Sequence, residues 1–360
     1  MCSKKMAMER NQNGNQVKAI SCIKERWLKE LDLFNHSLFM LPEWLEVVET
    51  PRRIPIYIDI ESNNKVIGKA SGLIIKDNRI KGKQLFFYTG PSMLHDDADT
   101  YHSCLEALKH FATHHRFSRI IILYFDHRIS HKPQSPHFRS YPMYESIIHL
   151  QTDYHDFSPG SSLRKKRNTA IRVQTSYFHS RETKDLNRLS ELAEITLNRR
   201  KKRHNSDYKK LEFPYFTEKL LPKLLKSGLG NMYCTMNPDG VCHFISVTLE
   251  HKKNIYGLFN GCDEFGYQNG LPGYLILQLS QEFQKKGYER FNLGGAPASS
   301  NERGKLIQFK EEIGGKLQTL YVAKTDFLVF PQNAMNPILN FARKLPHNNI
   351  SRKLSQFLRY

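Results

Sequence analysis

The order of segments over residues 231–322 repeats an order already present over residues 54–150, and this duplication restricts the folds open to the chain. In the second half, strands expected over 231–236 and 241–250 flank Asn237-Pro238-Asp239-Gly240, a hairpin turn by composition. A strand over 254–259 follows, then a helix over about 272–286 that stops at Gly287, a good C-cap residue. Strands at 290–293 and 318–322 complete the unit. The first half opens with a helix over 37–48, carrying Phe39, Leu41, Trp44, Leu45 and Val48 at helical spacing. Strands at 54–60 and 66–75 then meet around Glu61-Ser62-Asn63-Asn64, and a third, 84–89, stops at Gly90-Pro91. A helix over 98–114, the apolar strand 120–125 and a closing strand at 144–150 follow. Each half reads hairpin, strand, helix, strand, later strand; the pattern repeats, not the residues. A chain of 360 residues exceeds a single hydrophobic core, so two units of an α/β (α+β) mixed sheet are expected.

The halves are separated by a basic segment. Residues 161–210 hold fifteen Lys or Arg against five Asp or Glu, within a chain of net charge +19. Ser161-Ser162-Leu163-Arg164-Lys165-Lys166-Arg167 opens a short basic helix, with a serine as its cap, that ends near Arg172. A longer helix over about 184–202 carries Leu186, Leu189, Leu192, Ile195 and Thr196 on one face and ends in Arg199-Arg200-Lys201-Lys202-Arg203. A further amphipathic helix is expected over about 214–226. The expected division is a polar tail over 1–20, a first unit over 21–158, a second over 159–330 with a basic helical insertion at 160–226, and a basic helical tail over 331–360.

Such a charge excess fits polyanionic partners, whether nucleic acid, phosphorylated substrates or a membrane surface; a well-solvated basic surface is the competing reading. No apolar run approaches the ~20 residues of a membrane-spanning helix. The N-terminus stays polar to about residue 18, without the apolar core of a signal peptide, so cytoplasm is the expected compartment. The six cysteines show no C-x-x-C spacing and read as small, mostly buried residues, with neither a zinc site nor a disulfide framework.

Three stretches carry a resemblance to a known family. They are Arg164-Lys165-Lys166-Arg167-Asn168-Thr169-Ala170-Ile171-Arg172; Tyr288-Glu289-Arg290-Phe291-Asn292-Leu293-Gly294-Gly295; and Gly304-Lys305-Leu306-Ile307-Gln308-Phe309-Lys310, followed by Gly314-Gly315-Lys316. With the duplicated order they resemble the Fem family, which includes the peptidoglycan-bridge aminoacyltransferases and BioF-like acetyltransferase domains. The resemblance covers about residues 25–325 and implies two tandem GNAT-like units joined by basic helices. The family's Gly-x-x-x-Phe-Lys element has one extra residue here, between Gly304 and Phe309. What the resemblance implies is transfer of an acyl or aminoacyl group to an amine. The donor would be acyl-CoA or aminoacyl-tRNA, acting as a substrate and not as a tightly bound cofactor. The acceptor would be phosphorylated or nucleotide-linked, such as a peptidoglycan or other envelope precursor.

The resemblance places Lys310, with Phe309, near the donor, where an ammonium would stabilise the negative charge that develops on an attacked acyl group. Lys305 and Lys316 are rivals, and a solvated helix lysine paired with Glu311 or Glu312 is the plain alternative. Arg164, Arg167, Arg199, Arg200 and Arg203 are candidates for phosphate or diphosphate, which guanidinium forks suit, with Tyr208 and Tyr215 just downstream. Asn292, Gly294 and Gly295 end a strand where a cleft edge is expected. Gln268-Asn269-Gly270-Leu271-Pro272-Gly273-Tyr274 is a poor match to the superfamily's pyrophosphate loop. It still sets glycines at a helix start, where free N–H groups can cradle an anion, so Gly270, Gly273 and Tyr274 are cofactor-site candidates; an ordinary strand-to-helix turn is the alternative. His243 and Asp126 are candidate bases, each also readable as a satisfied structural residue.

Two other readings use the same charge. One is a non-catalytic nucleic-acid-binding protein using the basic centre; no helix-turn-helix, RNP-type strand or zinc-finger spacing supports it. The other is peripheral contact with an anionic membrane through residues 336–360, which carry Leu339, Phe341, Leu345, Leu354 and Phe357.

Overall fold

A computed structural model describes residues 17–76, 80–128, 131–152, 160–180, 183–204, 213–295 and 300–344. Along the chain run β1 (Val17–Cys22), α1 (Lys24–Leu28), α2 (Pro42–Val48), β2 (Arg53–Ser62), β3 (Lys65–Ile75), β4 (Gln84–Phe87), β5 (Ser92–Met93), α3 (Ala98–His114), β6 (Arg119–Ile122) and β7 (Phe138–His149). Next come α4 (Ser161–Arg172), β8 (Ser176–Ser180), α5 (Thr183–His204), α6 (Leu221–Lys226), β9 (Gly230–Met236), β10 (Cys242–His251) and β11 (Asn254–Cys262). The last elements are α7 (Glu264–Gln268), α8 (Leu271–Lys285), β12 (Arg290–Gly295), α9 (Ser300–Glu312), β13 (Lys316–Thr325) and α10 (Asn336–Lys344).

The chain forms two compact units, one of residues 1–45, 49–141 and 321–360, the other of 46–48 and 142–320. This division differs from the expected break at 158/159 and from a separate tail after 330. The strand expected to close the first unit instead pairs with the second: β7 runs antiparallel to β12, with His149 opposite Arg290 and Ile147 opposite Asn292. In exchange, the end of β13 returns to the first unit and pairs with β6, Ala323 opposite Ile122. Each strand has the local pattern of its type; which edge it joins is a long-range choice.

In the first unit the strands follow the order β1-β2-β3-β4-β6-β13. Parallel β4 and β6 are linked through α3, whose start is capped by the Asp97 carboxylate accepting from Thr100 N at 2.7 Å. Tyr101, Cys104, Leu105, Leu108, Phe111 and Ala112 form its buried stripe. Two expectations change here. Residues 1–20 are not all tail, because β1 begins at Val17 and pairs with β2; as an edge strand it is half exposed, which blurs its apolar alternation. The helix expected over 37–48 is two pieces, a 3-10 turn at Leu38–Met40 and then α2. Pro42 explains the break, since it lacks a donor and fits a first helical position better than an interior one.

The second unit has the order β7-β12-β11-β10-β9-β8. Its parallel pair, β11 and β12, is bridged by α7 and α8. Leu271, Leu275, Leu279 and Phe283 of α8 pack with Phe244, Ile255, Phe291 and Ile313 in one core. On β11, Gly261 lets α5 lie close, since a Cβ there would sit 2.9 Å from Leu192 Cβ. The hairpin turn at 237–240 closes with Gly240 at φ 76°. Strand β8 was not anticipated; its sequence, Ser-Tyr-Phe-His-Ser, has little apolar alternation. The helix expected over 214–226 is reduced to α6 after a 3-10 turn at Glu218–Leu220, because Pro222 suits a helix start. The cap of α4 is Gly160, not a serine, and Ser161 is its first helical residue.

Candidate functional site

The parallel register of β11 and β12 ends at Tyr256 opposite Asn292, although β11 continues to Cys262. Just beyond, Gly294 adopts φ 75°, a conformation that favours glycine, and a Cβ there would lie 3.2 Å from Gly257 O. Asn292 fixes this turn. Its Oδ1 accepts from Gly294 N at 2.8 Å, while its Nδ2 donates to Glu145 Oε2 at 2.9 Å. Glu145, on β7, and Asn292 are both 0% exposed. The second Glu145 oxygen accepts from the Tyr256 hydroxyl at 3.1 Å.

Lys310 reaches the same turn from α9. Its Nζ donates to Gly294 O at 2.7 Å and to Gly295 O at 2.8 Å, and the residue is 6% exposed. Burial pulls its pKa down from 10.5 to about 8, opposed by the Glu145 charge, which favours the ammonium. After α9 the chain turns sharply, with Gly315 N donating to Lys310 O at 2.8 Å. A side chain at Gly315 would collide with Ser146 Oγ, whose oxygen is buried there without a hydrogen-bond partner among the described residues. Glycine therefore lets the end of α9 approach β7.

An ammonium held by two carbonyls keeps a third N–H. In a buried setting such a donor stabilises negative charge on a nearby oxygen far better than in water. Because it titrates at about 8, Lys310 can also exchange its proton near neutral pH.

The structure thus brings Lys310, Asn292, Gly294 and Gly295 together. Phe309, the neighbour of Lys310, turns instead toward the core, with Lys166 Nζ 5.8 Å from its ring centre. Lys305 lies on α9 with its side chain outside the described residues, and Lys316 is exposed at the start of β13. Sequence reasoning missed Glu145 and Tyr256. The signal was an acidic residue inside the apolar strand expected over 144–150, since a buried carboxylate needs partners.

The other candidates are placed elsewhere. Gly270 starts α8 at φ 70°, but a Cβ on it would meet Lys166 Cβ at 2.7 Å, and one on Gly273 would meet Leu163 Cδ1 at 2.9 Å. The close approach allowed by these glycines is made by α4. Tyr274 is buried, its hydroxyl 3.5 Å from Thr175 O. Arg164 is exposed on α4; Arg167 is half-buried, and its Nε is buried without a hydrogen bond among the described residues. Arg199 pairs with Glu264 at 2.6 Å and lies 4.0 Å over the Tyr267 ring. The side chains of Arg200 and Arg203, and the whole of Tyr208, lie outside the described residues. Tyr215 sits at φ 60° in a segment whose Phe213 packs edge-on against Tyr256, ring centres 6.4 Å apart. His243 is apart from Lys310, its Nδ1 2.8 Å from Asp263 Oδ2 and its ring stacked on Phe265. Asp126 is buried in the first unit at φ 47°.

No family model matches the chain, and no curated protein matches it. Solved structures do. FemX aligns over 89% of this chain and 99% of its own, at TM-score 0.66 and 12% identity. L-PGS from Bacillus licheniformis aligns over 86% of this chain and 94% of its own, at TM-score 0.55 and 16% identity. At such identities the likeness shows the fold: a Fem-like architecture of two mixed-sheet units, as the duplicated pattern and the three motifs implied. Among the described residues, no helix is long and apolar enough to cross a membrane.

Proposed function

We propose that this protein is an acyl- or aminoacyl-transferase, with Lys310 as the charge that stabilises the reacting acyl group. The observation that carries the reading is the Lys310 ammonium, buried between the carbonyls of Gly294 and Gly295 and supported by Glu145 through Asn292. A fixed cation of this kind suits attack on a carbonyl that is already activated, where no covalent nucleophile is needed. An acceptor amine forms a C–N bond to the acyl carbon, and the electron pair moves onto the carbonyl oxygen. That oxyanion takes the third N–H of Lys310. Its collapse breaks the C–S or C–O bond of the donor, and the departing thiolate or alkoxide gains the proton lost by the amine.

The donor is an acyl-CoA thioester or an aminoacyl-tRNA ester, and the acceptor is a phosphorylated or nucleotide-linked amine, a cell-envelope precursor among the options. Arg164 and Arg167 are the groups we assign to its phosphate, because neither has, among the described residues, a carboxylate partner of the kind that engages Arg199. FemX and L-PGS share the fold, which supports a transferase. The test is a transfer assay with labelled acyl-CoAs and aminoacyl-tRNAs against phosphorylated amine acceptors. Turnover that Lys310→Met reduces at least about a hundredfold, in a folded protein, supports the reading. Salt-sensitive nucleic-acid binding with no turnover overturns it in favour of a binding protein.

A further inference from the structure

The apolar face expected over 336–360 is not continuous: Leu339 of α10 is buried, Phe341 is exposed, and Leu345, Leu354 and Phe357 lie outside the described residues.

Within the second unit, a register shift sets two cysteines on one face of the sheet. Phe244 of β10 stands opposite Thr235 of β9, but Cys242 stands opposite Met236, so His243 is the extra residue of a β-bulge. In an unbroken strand Cys242 would share the face of Phe244, which packs in the core with Leu271 and Leu275 of α8. The bulge turns Cys242 to the other face. Cys234 lies on that face too, because it is two residues from Met236 along β9.

On this face Cys242 lines a cavity of about 700 Å³ with Phe178 of β8, Met236, and Asp185 and Arg188 of α5. Phe178 is the β8 partner of Cys234. Arg188 Nε donates to Cys242 O at 2.8 Å, which fixes the bulge against α5. Cys242 is 8% exposed and Cys234 0%, so one thiol borders the cavity and the other lies behind it.

The two thiols are within hydrogen-bonding reach of each other. The bond from Cys234, helped by the Arg188 charge, pulls the Cys242 pKa below its ordinary value, although burial opposes this. The same bond and burial push Cys234 up. Burial also pushes up Cys22, Cys104 and Cys262. Among the described cysteines, Cys242 alone moves toward the thiolate, the form that attacks an oxidant.

We propose that Cys242 and Cys234 are a redox pair, in which Cys242 reacts with a hydroperoxide that enters the cavity and Cys234 closes a disulfide. The Cys242 thiolate forms an S–O bond as the O–O bond of the peroxide breaks. Sulfur gives two electrons to the peroxide, and the departing hydroxide or alkoxide takes up the proton that the thiol had lost. Cys234 then attacks the sulfenic sulfur: the S–S bond forms, the S–O bond breaks, and the oxygen leaves as water with the Cys234 proton. Closing the bond draws the two Cβ atoms to about 3.8 Å apart. The bulge, whose extra residue has no partner in the β9 ladder, is the part of the strand that gives.

The full chain is treated with hydrogen peroxide at neutral pH, remaining thiols are alkylated, and the digest is read by mass spectrometry. The expected product is a peptide pair joined through Cys234 and Cys242, two hydrogens lighter than the reduced pair and restored by dithiothreitol. It should form at least about tenfold faster than the thiols of Cys22, Cys104 or Cys262 are lost. In Cys234→Ala the sulfenic acid should persist on Cys242 and be captured by dimedone; in Cys242→Ala, Cys234 should stay a thiol. Melting curves establish that both variants are folded, and the result from the native chain stands without them. A joined pair that is absent, or that forms only in urea, overturns the proposal. So does a sulfinic acid on Cys242 beside a free Cys234, or equally fast oxidation of Cys234 in Cys242→Ala. None of these readouts depends on transfer activity.

Discussion

Asn292 and Glu145 meet between β12 and β7, the amide nitrogen of one donating at 2.9 Å to the fully buried carboxylate of the other. The same amide holds Gly294 in the left-handed turn whose carbonyl receives Lys310. The carboxylate is thus coupled to the lysine twice, by geometry through the turn and by charge.

Glu145→Gln removes the charge and keeps a polar group of the same shape. Since the Glu145 charge raises the Lys310 pKa against burial, the substitution should move that pKa further below its native value of about 8. The shift is read by NMR titration of the lysine side chain. Glu145→Ala should in addition destabilise the protein by about 2–4 kcal/mol, because Asn292 and Tyr256 each lose a buried acceptor. Chemical denaturation checks that figure.

Lys310 also links stability to pH. Its folded pKa, about 8, lies below the unfolded value of 10.5. Below pH 8 both states hold the proton, and the full cost of burying the charge is present. Between pH 8 and 10.5 the unfolded state holds more protons, so stability rises with pH, by about 3 kcal/mol across the window. Lys310→Met lacks this gain. The difference between native and variant unfolding free energies should therefore move by about that amount in favour of the native chain as pH rises from 8 to 10.5.

Gly315→Ala tests whether the close approach of α9 to β7 sets the lysine. The new methyl would meet Ser146 Oγ and lie 2.8 Å from Lys310 O, so backbone must shift. A loss of about 1–3 kcal/mol in stability is expected, together with a fall in turnover larger than the fall in substrate affinity. Steady-state kinetics beside a denaturation curve separate the two effects.

In the first unit, Lys69 Nζ lies 2.7 Å from Asp59 Oδ1, and both side chains are almost completely buried. Asp59→Asn should cost about 3–5 kcal/mol, by leaving the Lys69 charge buried without its carboxylate, whereas Lys69→Met should cost less, because Arg26 still faces Asp59 Oδ2 at 3.6 Å. The double variant Asp59→Leu/Lys69→Met should cost less than Asp59→Asn. Urea unfolding of the three proteins checks the sign of the coupling.

Local signals made much of this fold readable. The span of α3 follows from an Asp cap and a stripe at helical spacing, and the hairpin at 237–240 from Asn, Pro, Asp and Gly in turn. Pairing partners left no local trace: nothing in residues 144–150 says that this strand joins β12, and nothing in 318–322 says that β13 returns to β6. At the site, Lys310, Asn292, Gly294 and Gly295 were marked by motif, because each motif is one continuous stretch. Glu145 lies far away along the chain, and only its charge inside an apolar strand hinted at it. For Gly270 and Gly273 the sequence suggested an anion cradle at a helix start, while the neighbour that comes close to both glycines is α4.

The most direct measurement is single-turnover transfer from labelled acyl-CoA and aminoacyl-tRNA to phosphorylated amines, comparing the native protein with Lys310→Met. The account predicts that one donor class yields an amide product with the native chain, at a rate at least about a hundredfold above that of the folded variant. Equal rates in the two proteins, or no amide from either donor class, would contradict it.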